Sequence, residues 1–135
     1  MTILDTNVVD AVVQGRFDPQ EKYLNQYKIS AITLGECLRG WFLYPHSRTL
    51  AAVASLVGDL DESAILPYGP EEARVFARIA GRVTACKRIP DLMIAATAIV
   101  AGLPLVTFDT GLDAMARELA ASGPVDLALT VHLLE

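Results

Sequence analysis

The sequence predicts an α/β sandwich built on a central parallel sheet, with all of residues 1–135 in one domain. Three observations lead there. Short apolar runs alternate along the chain with longer segments of helical period, the order expected of strand–helix units. Seventeen residues from Leu92 to Phe108 carry no charge, and Gly102 and Pro104 divide them into a helix and a strand that is apolar on both faces, as in a parallel sheet covered on both sides. A hydrophobic content of 53% over 135 residues is ample for a core.

Taken in order, Thr2–Leu4 is an apolar strand ended by Asp5-Thr6-Asn7. A helix from about Val8 to Gln14 follows and stops at Gly15. Pro19–Gln26 reads as a short amphipathic helix and Ile29–Ile32 as a brief strand. Thr33 then opens a helix to Gly40, with Glu36 at capping-box distance from it. Trp41, Phe42 and Tyr44 form an aromatic cluster suited to a core or a subunit interface, and Pro45-His46 breaks the chain. Ser47–Leu60 is helical, with Leu50, Val53, Ala54 and Val57 on one face, and Ser63–Leu66 is a strand. Pro70 starts a long helix with Glu71 and Glu72 in its first turn and an apolar face of Val75, Phe76, Ile79, Ala80 and Val83. Asp91–Ala101 is a buried helix, Leu105–Thr107 a strand and Leu112–Ala121 a helix closed by Ser122-Gly123-Pro124. Leu127–Leu133 is the last strand.

Composition narrows the function. The net charge is −5, so the chain does not coat nucleic acid by bulk charge, and any such contact is local or metal-assisted. Two cysteines, Cys37 and Cys86, make neither a disulfide framework nor a CxxC pair. No signal peptide is visible and Gly-Leu-Pro interrupts the longest apolar run, so a cytoplasmic protein without a membrane span is expected. A Gly-rich phosphate loop and a serine nucleophile elbow are both missing.

The chemistry is carried by carboxylates. Asp5, Glu36, Asp91 and Asp109 fall near strand C-termini or on the helices that follow, so the fold lets them converge on one crevice. Each also has a plain structural use: helix caps for Asp5 and Asp91, a capping box for Glu36 and a turn for Asp109. Together they form a hard oxygen site that repels itself unless a cation lies inside, which suits Mg²⁺ or Mn²⁺ rather than zinc. Such a site can activate water for in-line attack on a phosphodiester. Arg74, Arg78 and Arg82 recur every four residues, and Lys87 and Arg88 continue the stripe toward Asp91, as a solvated face or as a grip for RNA phosphates or an acidic partner.

Four segments, Leu4-Asp5-Thr6-Asn7-Val8, Ser30–Glu36, Pro90–Ala98 and Leu105–Thr110, resemble in order the motifs of the PIN-domain family, and more closely its VapC toxins. The resemblance covers nearly the whole chain. It implies a three-layer α/β/α fold, a Mg²⁺- or Mn²⁺-dependent endoribonuclease leaving 5′-phosphate and 3′-hydroxyl ends, a homodimer, and a cognate VapB-like antitoxin whose C-terminal segment enters the active-site groove. Carried over position by position, Asp5, Glu36, Asp91 and Asp109 match the metal-site acids, Thr6 and Asn7 the polar pair after the first, and Thr107 the threonine of the last motif strand. Where relatives often carry an Asp-Phe pair, this chain has Gly111-Leu112-Asp113-Ala114, which displaces Asp113 from the expected site. The rival readings are a catalytically silent partner-binding module of the same fold and a haloacid-dehalogenase-like phosphatase. The latter needs a second aspartate where Asn7 stands.

Overall fold

The computed structural model describes residues 1–19, 26–86 and 88–135. Among these, five strands form one sheet: β1 (Thr2–Leu4), β2 (Tyr27–Ser30), β3 (Ile65–Leu66), β4 (Leu105–Thr107) and β5 (Val131–Leu133). All pairings are parallel and the order is β3-β2-β1-β4-β5. From β1 the chain winds outward through β2 and β3, then returns to the other side of β1 for β4 and β5. The order therefore reverses between β1 and β4, and a crevice opens at the carboxyl ends of those two strands.

The helices are α1 (Thr6–Val13), α2 (Ala31–Leu43), α3 (Arg48–Gly58), α4 (Pro70–Ala80), α5 (Ile89–Ala101) and α6 (Thr110–Ser122). Strand alternation sends Ile3 and Leu105 to one face and Leu4 and Val106 to the other. The first face packs against Ile79 of α4, Leu92, Ile94 and Ala95 of α5, and Leu112, Met115 and Leu119 of α6. The second meets Val8 and Val9 of α1, Cys37 of α2 and Val53 and Val57 of α3. This is the expected three-layer α/β/α sandwich. No helix among the described residues is long and apolar enough to cross a membrane.

The helix α5 is buried along most of its length because apolar residues cover nearly its whole circumference. It ends where Gly102 turns left-handed at φ 66°, and Pro104 then starts the run into β4.

Several boundaries differ from the sequence reading, each for a local reason. The strand expected over Ile29–Ile32 ends at Ser30, whose hydroxyl accepts the Thr33 N–H at 3.0 Å and starts α2 early. That excludes the Thr33–Glu36 capping box, since Thr33 already lies inside the helix. The strand over Ser63–Leu66 keeps only Ile65–Leu66, because the Asp61 carboxylate caps a 3₁₀ turn over Glu62–Ala64. The last strand shrinks to Val131–Leu133 behind a second 3₁₀ turn at Val125–Leu127. Helix α4 stops at Ala80, where Gly81 follows, so Arg82 does not continue the helical stripe of Arg74 and Arg78. The helix expected over residues 19–26 falls mostly on residues 20–25, outside the described residues, as does Lys87.

Candidate active site

The crevice at the ends of β1 and β4 is a cleft of about 200 Å³ lined by Asp5, Thr6, Asn7, Asp10, Glu36, Arg88, Asp91 and Asp109. The four carboxylates singled out in the sequence thus meet, although they come from widely separated stretches.

Asp5 ends β1, where its N–H donates to the Val106 carbonyl of the neighbouring strand at 2.9 Å. It is also the N-cap of α1: Oδ1 accepts the Thr6 N–H at 2.8 Å, while Oδ2 accepts the Thr107 hydroxyl at 2.7 Å. Only 4% of Asp5 is exposed. Burial pushes its pKa up to about 6; the bonds from Thr107 and Thr6 oppose the rise, and the charges of Asp91 and Glu36 add to it.

Thr107 is fully buried and has a second task, its Oγ1 accepting the Asp109 N–H at 3.0 Å. Asn7 closes the same corner by accepting the Phe108 N–H on Oδ1 at 3.3 Å. Asp109 caps α6, its Oδ1 accepting the Gly111 N–H at 2.7 Å. A Cβ on Gly111 would approach that oxygen to 3.0 Å, so glycine keeps this cap uncrowded. Glu36 lies in α2, and its Oε1 accepts the Thr6 hydroxyl at 2.8 Å. Thr6 therefore tethers two acids, Asp5 through its amide and Glu36 through its side chain.

Asp91 is not the cap of its helix; Arg88 occupies the N-cap position of α5, and Asp91 faces the cleft from the first turn. Burial raises its pKa, Arg88 opposes this, and the charges of Asp109 and Glu36 raise it further. The Arg88 Nε lies 3.8 Å from Asp91 Oδ2, and the Cys86 sulfur lies 3.9 Å from the same oxygen.

Asp10 is a fifth carboxylate that the sequence reading missed. Burial raises its pKa; Arg16 lowers it and Glu36 raises it again. It sits among valines in mid-helix, but its spacing of three from Asn7 puts both on one helical face, which was the available signal.

The basic residues separate. Arg88 lines the cleft. Arg74 and Arg78 instead border a depression of about 440 Å³ with Glu71, Ile99, Val100 and Asp126. Eight residues of α5 separate Ile99 from Asp91, about 12 Å along the axis. Arg78 is engaged there by Asp126 through bonds of 2.7 and 3.2 Å, and Arg82 acts on the same carboxylate. Asp113 lies outside the cleft lining and pairs with Arg117 at 2.6 Å.

The donors facing the cleft are carboxylate oxygens, hard ligands suited to a divalent cation of the Mg²⁺ or Mn²⁺ class. Among the described residues no three His, Cys, Asp or Glu side chains are grouped closely enough to hold an ion directly. Mg²⁺ keeps several waters and needs only one or two direct carboxylates, so the donor set fits it.

The family pattern for the PIN domain matches residues 2–118. No curated protein matches the chain. Among solved structures, FitAcB from Neisseria gonorrhoeae superposes with a TM-score of 0.68 at 24% identity, over 97% of this chain and 96% of that one. VapBC2 from Rickettsia felis, bound to a DNA fragment from its promoter, gives 0.69 at 17% identity over 99% and 98%. VapBC-5 from Mycobacterium tuberculosis, a member of the VapBC family of toxin-antitoxin systems, gives 0.60 at 26% identity over 99% and 97%.

Proposed function

Because this chain belongs to the PIN-domain family, whose members are generally nucleases, we propose that it is a divalent-metal-dependent endoribonuclease and the toxin of a toxin–antitoxin pair. The observation that carries the proposal is the meeting of Asp5, Glu36, Asp91 and Asp109 around one cleft at the strand-order reversal. Burial raises the pKa values of Asp5 and Asp91, and among the described residues only Arg88 opposes the rise at Asp91 as a cation. A cation and a phosphodiester answer that imbalance together.

Asp5 and Asp91 would hold Mg²⁺ or Mn²⁺, with Glu36 and Asp109 completing the acidic wall. When bound, the ion supplies Lewis-acid stabilisation of the phosphoryl charge and a nucleophile at neutral pH. The chain's own part is preorganisation. Thr107 and the Thr6 amide fix both oxygens of Asp5, the Thr6 hydroxyl fixes Glu36, and the Gly111 amide fixes Asp109. Asn7 and Thr107 lock the turn that brings Asp109 beside β1. Arg88, 74% exposed at its side chain, can exchange Asp91 for a substrate phosphate once a metal takes over the carboxylate. One grip of this kind on a net acidic surface favours single-stranded, shape-selected RNA over duplex tracking.

The toxin reading draws on the likeness to structures from toxin–antitoxin systems. Phe42 and Tyr44, 77% and 63% exposed at the end of α2, provide apolar surface for a second copy or an antitoxin segment. Arg74, with Arg78 and Arg82 around Asp126, lies on a surface apart from the cleft and suits a partner contact better than the scissile RNA.

Cleavage of a fluorescent single-stranded RNA with Mn²⁺, with and without EDTA, tests the proposal on wild type and Asp91→Asn. Cleavage that EDTA stops and the variant lacks is expected. RNA left intact by wild type would point to the partner-binding module, and equal cleavage by the variant would remove Asp91 from the chemistry.

A further inference from the structure

The segment between α4 and α5, from Gly81 to Arg88, brings Cys86 and Arg88 to Asp91. Its described residues form no helix or strand. The Arg82 and Val83 amides bond back to Ile79, and the next amide bonded into α5 is that of Leu92, to Arg88. Between those ends a side chain of α6 takes hold of the segment. Glu118 of α6 accepts the Thr84 N–H on Oε2 at 2.8 Å, and the Thr84 hydroxyl and Ala85 N–H on Oε1 at 3.0 and 2.7 Å. One carboxylate thus receives three donors from two consecutive residues.

A second contact lies about two helical turns away. The Ala85 carbonyl stands 3.7 Å from where a Cβ on Gly111 would project, and Gly111 is the residue whose amide caps Asp109. The segment is therefore laid along α6 at both Glu118 and Gly111, with Val83 and Cys86 turned inward among the core residues. Arg88 follows at the N-terminus of α5, beside Asp91.

We infer that Glu118 is a positioning residue for the cleft: its carboxylate clamps the Gly81–Arg88 segment to α6 and so sets where Arg88 stands over Asp91. Glu118 touches none of the reacting groups. Its effect passes through the Thr84 and Ala85 amides and the Thr84 hydroxyl to the Arg88 cation further along the chain. For its kinetic consequence alone, this rests on the nuclease reading.

The test uses the full chain with Glu118→Ala, Glu118→Gln, Arg88→Ala and the Glu118→Ala/Arg88→Ala double variant. Alanine suits the middle of α6, so the fold survives the change. Amide exchange and the Arg88 Nε–H resonance report on the clamp without any substrate. In Glu118→Ala the Thr84 and Ala85 amides are expected to lose about tenfold or more of their protection while amides in α5 keep theirs. The Arg88 Nε–H signal is expected to move or broaden. Glu118→Gln keeps one acceptor oxygen and should fall between wild type and alanine. With RNA, Glu118→Ala should raise KM about tenfold while kcat falls less than threefold, and it should add nothing to Arg88→Ala. Unchanged protection and an unchanged Arg88 signal would overturn the inference, as would additive effects on KM. A wild type inert toward RNA would instead remove the nuclease reading and leave the two spectroscopic readouts to decide the clamp.

Discussion

Asp5 offers the sharpest test, because its chemistry is written into folding stability before any substrate is added. Its pKa is about 6 in the folded chain against 3.8 in the unfolded one. A folded state that holds a proton more tightly than the unfolded state takes one up between those values. The contribution of Asp5 is therefore neutral at low pH and becomes a penalty as pH rises, reaching about 3 kcal/mol above pH 6. About 1 kcal/mol of this is already lost at pH 4.5, so about 2 kcal/mol remains to be lost by pH 7.5. Asp91 shifts in the same direction and steepens the trend. Glu118 and Asp126 shift downward, so their contributions fade as pH falls through their ordinary values of 4.5 and 3.8, opposite in sign and touching only the acid edge of this window. Urea unfolding in EDTA, followed by the single tryptophan Trp41, should show wild type losing stability from pH 4.5 to 7.5. Asp5→Asn should lose most of that slope, whatever its absolute stability. Millimolar Mn²⁺ at pH 7.5 should stabilise wild type in proportion to the logarithm of its concentration over Kd, and the variant far less. An Asp5→Asn profile as steep as wild type would refute the claim that this carboxyl carries the shifted proton.

Further outcomes follow from the same geometry. Thr107→Val removes the donor to Asp5 and the acceptor for the Asp109 amide from a fully buried position. It should cost about 1–3 kcal/mol in urea unfolding and move the Asp5 transition to higher pH. Arg88→Ala should raise KM for RNA, whereas Arg78→Ala, which breaks only the exposed pair with Asp126, should leave KM where it is. Ile94→Ala, at a position with no exposure in the middle of α5, should cost about 2–5 kcal/mol by the same unfolding assay and leave the pH slope unchanged.

What could be read from the chain alone depended on how far each signal reaches. Strand β4 was placed from its apolar run between Pro104 and Asp109, and it spans Leu105–Thr107. The burial of α5 was equally legible, because its composition permits no solvated face. The meeting of the four acids followed from strand–helix alternation, which puts strand carboxyl ends on one edge of the sheet. Details set by a single side chain were harder. The early start of α2 depends on the Ser30 hydroxyl reaching Thr33, and a capping box three residues later competes for the same pattern. The arginine stripe assumed that α4 ran past Ala80. Periodicity gives the spacing of a face but not where the helix supporting it ends. Asp10 and Glu118 stayed hidden because what ties them to the site, Glu36 for Asp10 and Thr84 and Ala85 for Glu118, is brought near only by the folded chain.

The placement of β4 beside β1 sets the order in which the cleft can assemble as the chain is made. Asp5 leaves the ribosome about a hundred residues ahead of its hydroxyl donor Thr107 and of β4, the strand that flanks β1 on that side. Until Leu105–Asp109 has left the ribosome and inserted, Asp5 has no Thr107, Asp109 has no corner to turn, and the acidic wall has a missing side. Asp5, Glu36 and Asp91 are therefore made before the strand that closes their cleft, and the acidic wall is whole only once Leu105–Asp109 lies beside β1.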